Sequence, residues 1–232
     1  SRRQLQMCII YSIYYYGAGI VSQATRDKIR NILQRHISEA CEVLVETDLF
    51  GAARVLCGNN SGIACILGTG ANSCLYDGEK IVDNVSALGY VLGDEGSGAV
   101  LGKLLVGDVL KRRLPKDLCE KFLKEYDLDM AKVVTRVYSQ PGANRFLASL
   151  SPFLLQNIER KEIRDIVLRS FKDFFIRNIS NYENYKEYPI NFVGSIAHYY
   201  HDILKEAAEA TGCRLGKVVQ APLEGLVEYH RY

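Results

Sequence analysis

The hydrophobic positions at the start of the chain follow two alternating patterns. Short apolar runs rich in β-branched and aromatic residues, at residues 7–16 and 42–46, predict strands. Apolar side chains recur at helical spacing over residues 22–40, where Ser22 is placed to cap the helix, and a shorter helix is predicted over residues 49–57. Strands and helices in alternation indicate an α/β layer.

The pattern then changes to short strands separated by tight turns. Strands are predicted at residues 62–67, 72–76 and 80–85, with turns at Gly68-Thr69-Gly70 and Asp77-Gly78. A glycine-rich segment, Gly93-Asp94-Glu95-Gly96-Ser97-Gly98, follows and leads into a helix predicted over residues 99–114. This part of the chain therefore predicts a hairpin layer followed by a helix.

The rest of the chain is mostly helical and returns to alternating strands and helices at its end. Helical spacing runs through residues 116–185, and the last elements are strands at residues 188–193 and 215–220 and helices at residues 198–211 and 222–229. The whole pattern predicts a two-domain α/β fold with a cleft. We expect residues 1–60 to belong to the first domain, residues 61–220 to the second, and residues 221–232 to form a closing helix.

Composition narrows the classes of function. A net charge of +2 gives no strong field for nucleic acid or an anionic membrane. The chain has no apolar run of the roughly 18 residues that a membrane span needs. The basic residues before residues 7–16 have the order of a signal peptide, but the tyrosines of that run favour a buried strand. Seven cysteines without a Cys-x-x-Cys pair are typical of reduced, buried thiols inside cells, so we expect no zinc or iron–sulfur site.

The first segment with candidate chemistry is Gly68-Thr69-Gly70-Ala71-Asn72, which joins two predicted strands. Glycines in such a turn let successive amides point at an anion such as phosphate, and the Thr69 hydroxyl adds a donor. The Asn72 side chain can both donate and accept hydrogen bonds, which suits a sugar hydroxyl or amide. The alternative is an ordinary glycine-rich hairpin turn.

The second segment contains Asp94 and Glu95, which lie among three glycines directly before a predicted helix. Two carboxylates can grip vicinal hydroxyl groups through directional hydrogen bonds. The alternative is a helix cap, in which Asp94, Glu95 or Ser97 meets the positive end of the helix. The two roles are compatible, because a helix start is also a binding site.

Two strand ends supply the remaining candidates. Asp48 follows a predicted strand, at the end where α/β sheets place their ligands, and it could accept the proton of an attacking hydroxyl or cap the next helix. Gly194 and Ser195 follow another strand, where a glycine would let adenine lie flat against the backbone; the alternative is an ordinary turn. His198 and His201 are better explained by a solvated helix face than by a metal site.

The candidate segments, taken together, resemble the sequence pattern of a known family. The set consists of Ile66-Leu67-Gly68-Thr69-Gly70-Ala71-Asn72, of Asp94 22 residues after Asn72, and of Glu46-Thr47-Asp48 and Phe192-Val193-Gly194-Ser195 in matching order and spacing. It closely resembles the N-acetylglucosamine kinases and the wider BadF/BadG ATPase-like family. The resemblance implies an actin-like ATPase (ribonuclease H-like) fold of two domains that close over ATP, Mg²⁺ and a sugar. It also suggests a cytoplasmic homodimer.

The resemblance further implies roles for individual residues. Asp48 falls on the catalytic base. The nucleotide positions are Gly68, Thr69, Gly70, Ala148, Gly194 and Ser195. The sugar positions are Asp48, Ala71, Asn72, Leu88, Gly89, Tyr90 and Asp94. Ala71 replaces a serine that is common in the family, which leaves a backbone contact intact.

One departure from the family pattern bears on activity. The family opens with a strand, an Asp-x-Gly-x-Thr phosphate loop and a second strand, and no such sequence occurs before Asp48. We therefore expect an incomplete first domain and weakened charge stabilisation during phosphoryl transfer. Three alternatives stay open: a non-catalytic sugar-binding or regulatory module of the same fold, a glucosamine kinase, and a BadF-type activator ATPase. The sequence has no convincing glycine-flanked cysteine loop, which argues against the activator ATPase.

Overall fold

The computed structural model describes residues 12–37 and 41–231. The first part of the strand predicted at residues 7–16 and the last part of the helix predicted at residues 22–40 therefore lie outside the described residues. The chain divides into two compact units, Ser1–Gly51 and Ala52–Tyr232. No helix in the described ranges has the length and apolar content needed to span a membrane.

The first unit is a parallel strand pair with its crossover helix. Its elements are β1 (Ser12–Gly17), α1 (Gln23–Gln34), β2 (Glu42–Thr47) and the start of α2 (Asp48–Cys57). β1 and β2 pair in parallel, which requires a crossover, and α1 provides it. The Ser22 hydroxyl accepts a hydrogen bond from the Thr25 amide at 3.2 Å, so the predicted cap is confirmed. Ile20, Val43 and Val45 are buried between helix and strands.

The second unit is built on a mixed five-stranded sheet. Its strands are β3 (Gly62–Leu67), β4 (Ala71–Tyr76), β5 (Ile81–Asp83), β6 (Pro189–Val193) and β7 (Arg214–Val219), in the order β5-β4-β3-β6-β7. β3, β4 and β5 are antiparallel neighbours, whereas β3, β6 and β7 run in parallel. The predicted return strand at residues 80–85 is shorter in the structure, because the pairing of β4 with β5 is irregular at Leu75 and Tyr76.

Ten helices of the described residues accompany this sheet. They are α3 (Gly89–Leu92), α4 (Gly98–Leu110), α5 (Lys116–Glu125), α6 (Met130–Val134), α7 (Ala143–Ala148), α8 (Ser151–Gln156), α9 (Lys161–Arg177), α10 (Ser195–Tyr199), α11 (His201–Ala210) and α12 (Leu223–Tyr229). A π-helical turn, Thr135–Ser139, continues α6, and 3₁₀ turns lie at Ile179–Asn181 and Tyr185–Glu187.

Two predicted helices differ in the structure. The helix predicted over residues 99–114 ends at Leu110, because Arg112 adopts a left-handed conformation and the Arg113 amide bonds back to the Asp108 carbonyl. The helix predicted over residues 198–211 is divided at Tyr200 into α10 and α11. Tyr200 is buried and its hydroxyl donates to the Ser151 carbonyl oxygen at 2.6 Å, which holds this residue out of a continuous helix.

Helix α9 supplies much of the core beneath the sheet. Its buried positions recur at helical spacing and include Phe171, Phe174 and Phe175. The rings of Phe174 and Phe175 lie 5.9 and 5.8 Å from the ring of Phe192 on β6. Burial of one such side chain contributes about 1.5–3 kcal/mol. This packing fixes α9 against the sheet, and α9 in turn holds the segment that contains Asp94.

Candidate active site

The Gly68-Thr69-Gly70 turn joins β3 to β4 and supports the start of α4. The Gly68 amide donates to the Gly70 carbonyl at 3.0 Å and closes the turn. The carbonyl oxygens of Gly68 and Thr69 accept the first two amides of α4, those of Gly98 at 2.8 Å and Ala99 at 3.1 Å. These two helix amides are therefore satisfied by the turn, so a ligand would meet the turn itself and not the end of α4.

Two amides of the turn remain available for an anion. Among the described residues, neither the Thr69 nor the Gly70 amide donates to a protein acceptor. The Thr69 side chain is exposed, so its hydroxyl can add a third donor. Successive unused amides next to a hydroxyl form a concave donor set that suits a phosphate group. The residues present therefore fit the nucleotide phosphate that the resemblance implies.

The Asp94 carboxylate lies against this turn. A Cβ atom on Gly70 would be 3.1 Å from Asp94 Oδ2, so the glycine leaves room for the carboxylate. Burial raises the pKa of Asp94 above its ordinary value; a hydrogen bond from the Ala71 backbone opposes the shift, and the nearby Glu95 charge adds to it. The Asp94 backbone has a φ of 55°, and its amide donates to the Ala87 carbonyl at 2.9 Å. The turn and Asp94 thus form one site.

Glu95 does not share the surroundings of Asp94. Its carboxylate pairs with Arg177 at 3.0 Å and accepts a longer bond from Asn178 at 3.4 Å, both at the end of α9. The cap of α4 is Ser97, whose hydroxyl accepts from the Val100 amide at 3.2 Å. The adjacent carboxylates predicted to act together therefore separate into one that faces the glycine turn and one that is held by α9.

Asn72 stands two residues beyond the turn, as the second residue of β4. Its Oδ1 atom accepts hydrogen bonds from the Ser73 amide at 2.9 Å and from Asn84 Nδ2 at 3.0 Å. Its neighbour Ala71 is buried. Asn84 was not predicted from the sequence; the available signal was its position directly after the returning strand of the hairpin.

The predicted sugar-binding stretch Leu88-Gly89-Tyr90 lies at the start of the short helix α3, which leads to Asp94. Leu88 and Gly89 have φ values of 63° and 70°, and Leu88 is exposed. The Tyr90 carbonyl accepts a hydrogen bond from Lys103 Nζ at 2.6 Å. The Gly93 amide donates to the Gly89 carbonyl at 2.7 Å and closes the single turn of α3, and Asp94 follows directly.

The predicted nucleotide residues converge around Gly98. A Cβ atom on Gly98 would lie 3.3 Å from the Gly68 carbonyl oxygen, from Ala148 Cβ and from Ile196 Cδ1. Three of the predicted segments, at Gly68, Ala148 and the start of α10, thus meet at one point. Ser195, the first residue of α10, is exposed.

Gly194 has a structural requirement of its own. Its φ is 132°, and a Cβ atom there would overlap the Leu67 carbonyl oxygen. Its amide donates to the Val219 carbonyl at 2.9 Å. The close approach of the ends of β3 and β6 therefore explains why a glycine is needed here. The sequence-based prediction had instead explained it by contact with an adenine ring.

Asp48 lies at the carboxyl end of β2, in the first unit. The Thr47 hydroxyl accepts from the Phe50 amide at 3.1 Å, so Thr47 caps α2. Asp48 Oδ1 accepts from the Leu49 amide at 2.8 Å. Among the described residues its Oδ2 atom has no hydrogen-bond partner, which leaves one carboxylate oxygen able to accept a proton.

The histidines and cysteines occupy other surroundings. His198 and His201 fall on the two separate helices α10 and α11, and His201 lies 3.3 Å from Asp202. No group of three metal-binding side chains occurs within the ranges that the structure describes. Burial raises the pKa of Cys57 to about 11 and that of Cys74 to about 12, so these thiols stay protonated near neutral pH.

Comparison with known proteins places this arrangement in context. No protein-family model matches the chain, and no curated protein matches it in sequence. A solved structure of a putative N-acetylglucosamine kinase from Porphyromonas gingivalis is 47% identical and superposes with a TM-score of 0.92, covering 95% of this chain and 77% of that one.

Two more distant structures share the fold. A putative N-acetylglucosamine kinase from Chromobacterium violaceum is 18% identical, with a TM-score of 0.60 over 86% of this chain and 70% of that one. MreB 5 of Spiroplasma citri, bound to AMPPNP, is 14% identical, with a TM-score of 0.55 over 98% and 70% of the two chains. The chain therefore has the fold of the actin-like ATPases and sugar kinases, and it belongs to the family of the Porphyromonas gingivalis protein.

Proposed function

We propose that the protein is an ATP-dependent sugar kinase that transfers the γ-phosphate to the 6-hydroxyl of N-acetylglucosamine. The observation that carries the proposal is the placement of the Asp94 carboxylate against Gly70, two residues before Asn72 and beside two unused turn amides. The groups that would bind a sugar hydroxyl are therefore next to the groups that would bind a phosphate. The family membership supports the same chemistry, because the Porphyromonas gingivalis relative is described as a putative N-acetylglucosamine kinase.

The sugar side of the site consists of complementary groups. Ionised Asp94 accepts hydrogen bonds from sugar hydroxyls, and the Asn72 amide supplies a donor. The loop at Leu88-Gly89-Tyr90 adjoins Asp94 and borders the same site. An ionised carboxylate binds a hydroxyl more strongly than a neutral acceptor does, so Asp94 should contribute most of the affinity for the sugar.

The nucleotide side consists mainly of backbone groups. The Thr69 and Gly70 amides and the Thr69 hydroxyl would hold a phosphate, while Gly68, Ala148 and the Gly194-Ser195 turn border the nucleoside. A Mg²⁺ ion that accompanies the nucleotide would supply neutralisation of the phosphate charge. No side chain on this side needs to move a proton.

Asp48 is the proposed general base. It would accept the proton of the attacking hydroxyl through Oδ2, while the Leu49 amide holds Oδ1 and orients the carboxylate. This role and the 6-hydroxyl as acceptor rest on the resemblance to the N-acetylglucosamine kinases. The wider BadF/BadG relationship, the cytoplasmic location and the homodimer remain predictions from the same resemblance.

Phosphotransfer by the purified chain and by its Asp48→Asn variant tests the proposal. ATP-dependent formation of a sugar phosphate is measured with N-acetylglucosamine and, separately, with glucosamine. We expect Asp48→Asn to lower kcat by about 100-fold or more, because a positioned general base contributes 10²–10⁴-fold, with little change in the Kd for the sugar.

The control is Asp173→Asn, an exposed carboxylate on α9, which should leave kcat unchanged. The Porphyromonas gingivalis protein is assayed in parallel. Comparable kcat values for the chain and its Asp48→Asn variant would remove Asp48 from the mechanism. Transfer to glucosamine alone would overturn the proposed substrate, and binding of the sugar without transfer would favour a non-catalytic module.

A further inference from the structure

The orientation of the Asn72 side-chain amide is fixed by its neighbours. A backbone amide can only donate, so the Asn72 atom that faces the Ser73 amide at 2.9 Å is the oxygen. The same oxygen accepts from Asn84 Nδ2 at 3.0 Å. Both lone pairs of Asn72 Oδ1 are therefore engaged within the protein, and its Nδ2 group is the part left for a ligand.

The orientation of the Asn84 amide is equally determined. Its Nδ2 atom lies within hydrogen-bond distance of three acceptors: Asn72 Oδ1, the Ser73 carbonyl at 2.6 Å and the Val85 carbonyl at 3.3 Å. An oxygen at this position would face three other oxygens. The nitrogen of Asn84 must therefore point at Asn72.

A buried tyrosine holds the backbone beside Asn84. The Tyr182 hydroxyl accepts from the Val85 amide at 3.1 Å and lies 2.7 Å from the Ser73 hydroxyl. Tyr182 and Ser73 are both buried, so the bond between their hydroxyls is shielded from water. The segment that carries Asn84 is thus tied to the strand that carries Asn72.

We infer that Asn84 is a positioning residue that makes Asn72 a hydrogen-bond donor toward the substrate. Asn72 then donates a hydrogen bond to the substrate, whereas Asp94 accepts one from it. The inference rests on the proposed function and deepens it: the substrate is a polyol that presents an acceptor oxygen to Asn72 and a hydroxyl donor to Asp94. Without Asn84, the Asn72 amide loses one of the two bonds that orient it.

A double-mutant cycle tests whether Asn84 acts through Asn72. The Kd for N-acetylglucosamine and the Kd for ATP are measured by calorimetry for the unaltered chain, Asn84→Ala, Asn72→Ala and the double variant. Asn84→Ala should weaken sugar binding about fivefold, the effect of one neutral hydrogen bond. In the Asn72→Ala background the same change should alter the sugar Kd less than about twofold, because coupled residues are not additive.

Further variants separate positioning from general damage. Asn84→Asp keeps the shape but replaces the donor with an acceptor facing Asn72 Oδ1, so it should weaken sugar binding at least as much as Asn84→Ala. Asn60→Ala, an exposed asparagine between α2 and β3, is the matched control and should bind sugar normally. The Kd for ATP should change little in all these variants. Tm is measured for each, because Asn84 bonds several acceptors and its loss should also lower stability.

The outcomes distinguish the inference from the function on which it rests. Sugar binding that is unchanged in Asn84→Ala, or losses that add fully in the double variant, would overturn the role of Asn84 and leave the kinase proposal standing. Absence of sugar binding by the unaltered chain would contradict the proposed function, and the inference would fall with it.

Discussion

Asp94 combines several features that each cost stability. Its backbone adopts a left-handed conformation that favours glycine, its carboxylate is partly buried, and Glu95 adds a second negative charge beside it. Proteins keep strained and desolvated groups mainly at sites where they bind or react. The Glu95 charge is offset by Arg177, whereas the ionised form of Asp94 is favoured by the Ala71 amide and, more weakly, by the Lys103 charge. These costs support the proposed role of Asp94 as a binding residue.

Asp94→Asn should separate stability from binding. The substitution removes a charge that burial disfavours, so Tm at neutral pH should stay the same or rise. It also removes the charged acceptor, so the Kd for N-acetylglucosamine should rise by about tenfold or more, as expected for a hydrogen bond to a charged group. Calorimetry and thermal unfolding measure the two effects. A lower Tm together with unchanged sugar binding would contradict this interpretation.

The pKa of Asp94 also sets the pH dependence of binding. Because the folded-state pKa is raised, protonation begins at a higher pH than for an ordinary aspartate, and the protonated form is no longer a charged acceptor. Sugar affinity should therefore fall on acidification, with a midpoint above 3.8. By linkage, the ionisation of Asp94 lowers stability as pH rises through its folded-state pKa. Asp94→Asn should abolish this part of the pH dependence in both measurements.

At this scale the sequence predicted candidate binding side chains but not the residue that we propose to position one of them. Asn72 and Asp94 could be named because glycine-rich segments surround them. Asn84 could not, since its bond to Asn72 depends on the register of a hairpin whose return strand is shorter than predicted. The nucleotide role of Gly194 stays a prediction; the structure gives this glycine a packing reason that only the pairing of β3 and β6 reveals.

Helix α4 shows how one element can hold a site in place. It begins on the glycine turn through the Gly98 and Ala99 amides, and its body packs closely on α7. At Gly102 a Cβ atom would overlap the Leu147 carbonyl oxygen, so the two helix backbones approach each other directly. At Gly107, near the other end of the helix, a Cβ atom would meet nothing within 4 Å. Glycine is therefore required for close packing at position 102, whereas at position 107 a larger side chain would fit.

Two alanine substitutions in α4 should therefore have opposite signs. Gly102→Ala should lower the free energy of unfolding by about 1–3 kcal/mol, since overpacking forces α4 and α7 apart. Gly107→Ala should raise it by about 0.5–1 kcal/mol, because alanine is the better helix former and finds open space. Denaturant unfolding of both variants measures the difference. Equal effects from the two substitutions would show that α4 and α7 do not pack as described.

The predictions of helices and strands were right where local sequence determines the element. They were wrong where tertiary contacts determine where the element ends. The strand at Gly62–Leu67 and the Ser22 cap follow from apolar runs and capping chemistry, and both are confirmed. The division of the helix at Tyr200 depends on a hydroxyl bond to Ser151, far away in sequence. No periodicity of the helix itself could indicate that break.

At the scale of the whole molecule, the sheet order explains why distant segments share a site. β3 and β6 are parallel neighbours although the helices α4–α9 lie between them in sequence, so the glycine turn after β3 and Gly194 after β6 stand at the same edge. Local patterning cannot predict that pairing. The resemblance to the N-acetylglucosamine kinases implied the fold, which is confirmed by the structures that share it.

The claim to test is that Asn72 and Asp94 form the sugar side of a kinase site, beside the Gly68-Thr69-Gly70 turn that would hold the phosphate. Calorimetric titration of the 232-residue chain with N-acetylglucosamine tests it most directly, with ATP–Mg²⁺ titrated separately and Asp94→Asn measured alongside. The claim predicts saturable sugar binding that Asp94→Asn weakens and that does not require the nucleotide. Absence of sugar binding, or binding of equal strength in Asp94→Asn, would contradict it.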